Sequence, residues 1–154
     1  MSHSDPDSQV PVNDPGRVVL GQTLDLLAPI RRHRMSMAEL SWHRQQKVLK
    51  ALRERLEVME QERQLLHEAH RQSRIELREQ HANRPLSISE MNTWLAREQQ
   101  SIRRIEDDER TYKALEQEYR QQSQWVEGSR LEMRRRQREM EKLDYLIDLA
   151  REAS

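Results

Sequence analysis

The residues best equipped for chemistry are His67-Glu68-Ala69-His70, Glu106-Asp107-Asp108-Glu109 and two arginine runs, Arg31-Arg32-His33-Arg34 and Arg134-Arg135-Arg136-Gln137-Arg138. The first stands close to the zinc-protease pattern, where two histidines four apart share a helix face and a glutamate follows the first. Here the histidines are three apart with no third ligand apparent, so a solvated or seam-lining pair is expected rather than a metal site. The four consecutive acids would point round most of a helix and cannot converge on one substrate. They read as a solvated face, with a docking patch for a basic partner as the alternative. Gly16, Gly21 and Gly128 stand alone, so no phosphate-cradling loop is present. Two long helices would offer Ser, His and Asp no pocket that excludes water. The expectation is a protein that is not an enzyme, with no catalytic residue, cofactor or metal.

The arginine runs allow three readings. They could be solvated helix faces with intrahelical Glu–Arg pairs, or a basic collar for an acidic protein partner. Nucleic acid is the weakest reading, because 27 basic residues are balanced by 27 acidic ones and aromatics make up only 4%, which leaves few stacking platforms. The charges are unevenly spread. Residues 31–55 hold eight Arg or Lys against Glu39 and Glu54, and residues 120–142 hold seven against four acids. If the chain folds back on itself, both basic blocks fall near the same end. Trp42, Trp94 and Trp125 read as seam or flank packing. Trp94 is the exception, since it follows the start of the second helix by one turn, where a hairpin tip would expose it.

The elements that must position these residues are legible in composition and spacing. With 35% charged residues and no Phe, the chain lacks the apolar volume of a layered globular core. A narrow seam between two helices needs much less. Cysteine is absent, which favours a reducing, cytoplasmic setting. No apolar run approaches a membrane span, and Met1–Val19 lacks the pattern of a signal peptide. Four of five prolines fall in the first 29 residues, so residues 1–22 read as a disordered tail. Thr23–Leu27 reads as a short helical turn capped by Thr23 and kinked at Pro29, with Leu24, Leu26, Leu27 and Ile30 expected to cover Met140–Ile147.

Helix one is expected over about 30–81, with Met35, Ala38, Trp42, Gln45, Leu49, Leu52, Leu56, Met59, Arg63, Leu66, His70, Ser73, Leu77 and Gln80 along its seam at alternating steps of three and four. Pro85 then imposes a turn over 82–87. Ser87-Ile88-Ser89-Glu90 reads as a capping box, with Leu86 and Met91 placed as a hydrophobic staple. Helix two is expected over about 88–150, with the stripe Met91, Leu95, Ile102, Ile105, Tyr112, Leu115, Tyr119, Val126, Met133, Met140, Leu143 and Ile147. The step from Tyr112 to Leu115 suggests a register shift and local overwinding; Gly128 marks a soft point. A short turn makes the two helices pack antiparallel, with paired positions summing to about 170, so that Leu77 meets the Met91–Leu95 turn and Met37 the region of Met133. The expected fold is all-α: a long antiparallel two-helix coiled-coil hairpin over residues 23–152, monomeric, behind the tail.

The basic start Pro29-Ile30-Arg31-Arg32-His33-Arg34, the charged first helix, and the turn into Leu86-Ser87-Ile88-Ser89-Glu90-Met91-Asn92-Thr93-Trp94 resemble the YscO/FliJ-like stalk proteins of bacterial type III secretion over about residues 24–152. The N-terminal segment, Met1–Gln22, departs from that pattern. The resemblance implies a non-enzymatic stalk component that binds the export ATPase ring, promotes its hexamer, links it to the membrane export gate and in some members handles secretion chaperones. It implies a cytoplasmic, virulence-associated protein, peripheral to the inner membrane through the secretion machinery and not inserted in it. Arg31, Arg32, Arg34, Arg134, Arg135, Arg136 and Arg138 would meet the ATPase ring, where a basic end gains from long-range steering toward an acidic rim. Leu86, Met91 and Trp94 would face the export gate. The alternative is a generic coiled-coil adaptor or homodimeric scaffold, against which Pro85 and the capping box argue.

Overall fold

A computed structural model describes residues 15–153. Two helices account for nearly all of them: α1, Pro15–His81, and α2, Ile88–Glu152. They pack against each other as an antiparallel coiled-coil hairpin, and no strand occurs among the described residues. The turn falls on residues 82–87 as Pro85 requires. At the start of α2 the Glu90 amide donates to Ser87 Oγ at 3.1 Å and the Met91 amide to the Ser87 carbonyl at 2.9 Å. The Ser87 hydroxyl therefore satisfies one donor that the first helical turn leaves orphaned, and its carbonyl accepts the first bond of the helix.

The N-terminal end of α1 departs from the sequence reading. Residues 15–22, expected in the tail, are helical, and α1 runs without interruption through Pro29; the rest of the expected tail, residues 1–14, lies outside the described residues. Pro15 occupies the first helical position, where a missing N–H costs nothing. Thr23 does not cap a helix start. Its hydroxyl donates to the Val19 carbonyl at 2.9 Å, a back-bond one turn earlier in the same helix. Pro29 denies the Asp25 carbonyl its helical donor, at about 3 kcal/mol in a helix interior. A buried apolar cluster around this part of α1 offsets that cost. Leu24 and Ala28 are buried against Met140, Leu143 and Ile147, with Leu27, Met35 and Ala150 packed around them. Each large apolar side chain fully removed from water contributes about 1.5–3 kcal/mol.

The chain divides into two compact units through which both helices pass. The terminal unit comprises residues up to Gln46 and from Trp125 onward; the turn unit comprises Lys47–Gln124.

In the turn unit the expected α1 seam is buried or half-buried from Leu49 to Leu77, except at Ser73, which is exposed, as is Gln80 beyond it. Its cross-helix pairs, Arg63–Glu109, Arg53–Tyr119 and His70–Glu98, sum to 168–172, close to the expected value. In the terminal unit the same seam extends back before Met35, with Leu24 and Ala28 preceding Arg31, Met35, Ala38 and Trp42. Of the residues expected to cover Met140–Ile147, Leu24 and Leu27 pack there, whereas Leu26 and Ile30 face outward. Pairs there, Arg32–Asp144 and Gln137–Glu39, sum to 176, which brings residue 37 level with Glu139 instead of Met133. Met37 itself is exposed.

The seam of α2 corrects the sequence reading more deeply. Its buried and half-buried positions run Trp94, Glu98, Ser101, Ile105, Asp108, Tyr112, Leu115, Tyr119, Gln122 in the turn unit and Val126, Ser129, Met133, Arg136, Met140, Leu143, Ile147, Ala150 in the terminal unit. The steps alternate four and three throughout, so no register shift occurs at Tyr112–Leu115. Leu95 and Ile102 lie off the seam, exposed, and Met91, one seam step before Trp94, is exposed as well. Apolar residues alone suggest a slip because polar side chains fill many of the true seam places, from Glu98 to Arg136. The seam follows the helical period and not the hydrophobicity of each occupant.

Candidate functional site

The turn unit carries the polar contacts that fix how its helices align. Arg63, only 23% exposed in its side chain, pairs with Glu109 across the seam and with Glu60 one turn earlier at 3.0 Å. Its guanidinium also lies 4.4 Å from the centroid of the Tyr112 ring, a cation–π contact in a partly desolvated setting. Two turns further along, His70 Nε2 lies 2.8 Å from Glu98 Oε1, and Arg74 Nε donates to the same oxygen at 2.8 Å. Charged groups at seam positions cost desolvation unless paired. Here Glu98 and Glu109 each have a basic group opposite, which ties one register to satisfied charges.

Burial works against ionisation of Glu98, but the hydrogen bonds from Arg74 and His70, together with their charges, outweigh it and hold the carboxyl below the ordinary glutamate value. A carboxyl whose pKa is depressed by folding adds stability above its unfolded pKa and loses it as pH falls through the folded value. Urea-unfolding midpoints of the wild-type chain should therefore fall as acid is added below the ordinary glutamate range. Glu98→Gln should lower the midpoint at neutral pH and flatten that acid limb. An unchanged acid limb in Glu98→Gln would remove Glu98 from the account.

The near-miss motifs resolve into these contacts. His67 is exposed while His70 lies in the seam on Glu98, so the two histidines do not converge. Among the described residues no group of three or more His, Asp or Glu could hold a metal ion. The acidic run is not wholly solvated. Glu106 is exposed and Asp107 pairs with Arg110 at 3.1 Å, but Asp108 is half-buried in the seam and Glu109 faces Arg63. Sequence reasoning missed Glu98 and Glu109 as seam partners. The available signal was the pair of basic residues, Arg63 and His70, already visible at seam spacing on α1.

The terminal unit holds both arginine runs, but their members differ in availability. Arg31 and Arg136 are half-buried at seam positions. Arg136 is held by Glu132 at 2.9 Å and Glu139 at 3.3 Å, and Arg135 by Glu132 at 3.0 Å. The hydrogen bond from Arg135, reinforced by the charges of Arg135 and Arg136, keeps the Glu132 carboxyl below the ordinary range. Arg32 approaches Asp144 only at 4.0 Å, with both side chains more than half exposed, a pair worth little in water. Arg34, Arg134 and Arg138 are exposed and make no ion pair among the described residues. The structure thus brings both runs into one unit while neutralising part of the second.

At the turn, Leu86 is half-buried and Met91 is 41% exposed. Trp94 is not displayed to solvent: it is half-buried on the seam, and Leu95 takes the exposed position beside it. Ile88, 82% exposed, is the most solvent-facing large apolar side chain there, a feature that sequence reasoning missed. Of the other tryptophans, Trp42 is half-buried in the seam and Trp125 is 54% exposed, so Trp125 does not pack as expected. No helix of the described residues is long and apolar enough to cross a membrane.

No family model, curated protein or solved structure matches this chain. What the chain offers a partner is therefore read from its own surface: three exposed arginines with Arg32 in the terminal unit, and an apolar group of Ile88, Met91 and Leu95 after the turn.

Proposed function

We propose that this protein is a non-enzymatic stalk component of a bacterial type III secretion system, which binds the export ATPase ring through its terminal unit and contacts the export gate through the turn. The observation that carries the reading is the gathering of both arginine runs into the one unit that also holds the helix ends. It is supported by the resemblance of residues 24–152 to the YscO/FliJ-like proteins. The contact set narrows to Arg32, Arg34, Arg134 and Arg138, because Arg135 and Arg136 are already paired with Glu132. At the turn it shifts from Trp94 toward Ile88, Met91 and Leu95, which are the exposed members. Chaperone handling, a cytoplasmic location beside the inner membrane and a monomeric hairpin belong to the same proposal.

The test is titration of the cognate export ATPase with the purified chain, reading ATP turnover and hexamer content. Both should rise. The double variant Arg34→Glu/Arg138→Glu should weaken the effect by about tenfold or more at low salt, where exposed charges are least screened. Arg135→Glu should do less, since its charge is partly spent on Glu132. No gain in turnover or hexamer on adding the wild-type chain would overturn the proposal.

A further inference from the structure

In the terminal unit α1 carries two apolar stripes on opposite sides. The inner one, Leu24, Ala28, Arg31, Met35, Ala38 and Trp42, faces α2. The outer one runs Val19, Thr23, Leu26, Ile30, His33, Met37, Leu40, Arg44, also at steps alternating four and three, and lies half a helical turn away because two residues rotate the chain by about 200°. Every member of the outer stripe is exposed, Leu26 to 73% and Val19 to 60%. Scattered apolar residues on a surface need no explanation. An ordered row at coiled-coil spacing, on a helix whose inner seam is already filled by α2, is different: it is a second seam without its helix.

The shape and charge of the row say what would fill it. From Ile30 onward its flanking positions hold Arg34, Ser36, Ser41 and His43, so the apolar strip is only two positions wide there, whereas before Ile30 the flanks hold Leu20, Leu27 and Pro29 beside Gln22. That width fits the knobs of another helix and is narrow for a membrane surface, which rewards a broad apolar face. Arg34 lies beside its midpoint and Arg44 closes it, while Arg32 is turned toward Asp144 of α2. Of the nearby acids Asp25 and Glu39, the latter accepts a hydrogen bond from Gln137 of α2. A second copy is disfavoured by the same charges. The Arg31–Arg34 run sits at the middle of the row, so two copies laid parallel in register, or antiparallel about that middle, place the runs beside each other.

We infer that the outer stripe of α1, Val19–Arg44, is a docking groove for an amphipathic helix of another protein whose apolar row is flanked by Asp or Glu. The row spans about 38 Å, which a partner helix of about 25 residues would cover. This surface stands independently of whether the terminal unit also meets an ATPase.

The probes are two designed helical peptides of about 26 residues with the same Leu and Ile heptad core, one flanked by Glu and one by Lys, each titrated into the full chain by fluorescence anisotropy. The Glu peptide should bind at least about tenfold more tightly than the Lys peptide. Leu26→Gln/Ile30→Gln should weaken it by about tenfold or more, while circular dichroism and the unfolding midpoint stay unchanged because both residues are already exposed. Equal binding of the two peptides, or binding indifferent to the Gln pair, would overturn the inference. Sedimentation showing a dimer that the Gln pair dissolves would assign the row to a second copy. Retention on phosphatidylserine vesicles, lost in the Gln pair with no peptide binding, would assign it to a membrane. Either result would also overturn the inference.

Discussion

Leu143→Ala should destabilise the terminal unit by about 2–4 kcal/mol, the cost of removing a buried leucine and leaving part of its volume empty. Leu143 is 1% exposed, the lowest value among the core residues, and it sits among Leu24, Ala28, Met140 and Ile147. A coiled-coil seam is thin, so a site enclosed on all sides is rare in it and its neighbours have little freedom to collapse inward. Amide hydrogen exchange should show lost protection in both helices of the terminal unit. An effect below about 1 kcal/mol would mean that the cluster repacks or that Leu143 is not enclosed.

Pro29→Ala should act in the opposite direction, raising stability by about 2 kcal/mol. Alanine restores the N–H that the Asp25 carbonyl lacks and removes the ring from the preceding turn, a change of about 3 kcal/mol in a helix interior. Part of that gain is returned, because the unfolded chain becomes freer by about 0.5–1 kcal/mol when the proline is lost. Pro29 is exposed, so alanine at that position removes no buried side chain. Urea unfolding followed by circular dichroism checks the sign. A loss of stability would show that the packing around Leu24 and Ala28 depends on the backbone geometry that Pro29 imposes.

These two residues also mark where reading the sequence succeeds and fails. Leu143 falls on the expected stripe, because Met140, Leu143 and Ile147 keep helical spacing without interruption. Pro29 reads as a kink before the start of a helix, since local propensity disfavours proline inside one. The helix passes through it because Leu24 and Ala28, on the near side, find partners more than a hundred residues away in sequence. The arginine runs show the same limit. Their residue types and the local pairing of Arg135 and Arg136 with Glu132, three and four residues away, are plain in the sequence, but the half-burial of Arg31 and Arg136 on the seam is not.

The sequence by itself determined two helices, the turn at 82–87, the Ser87 cap and most of the α1 seam from Met35 to Leu77. All of these follow from contacts within about four residues, or from the angular period those contacts impose. Only the tertiary structure decided the polar members of the α2 seam, the passage of α1 through Pro29 and the outward turning of Val19, Leu26, Ile30, Met37 and Leu40. Glu98, Asp108, Gln122 and Arg136 occupy seam places that hydrophobicity would deny them. A polar side chain can stay there where neighbouring groups satisfy it, as Arg74 and His70 do for Glu98. Pairing across the seam depends on the opposite helix of the hairpin, and no local pattern contains it.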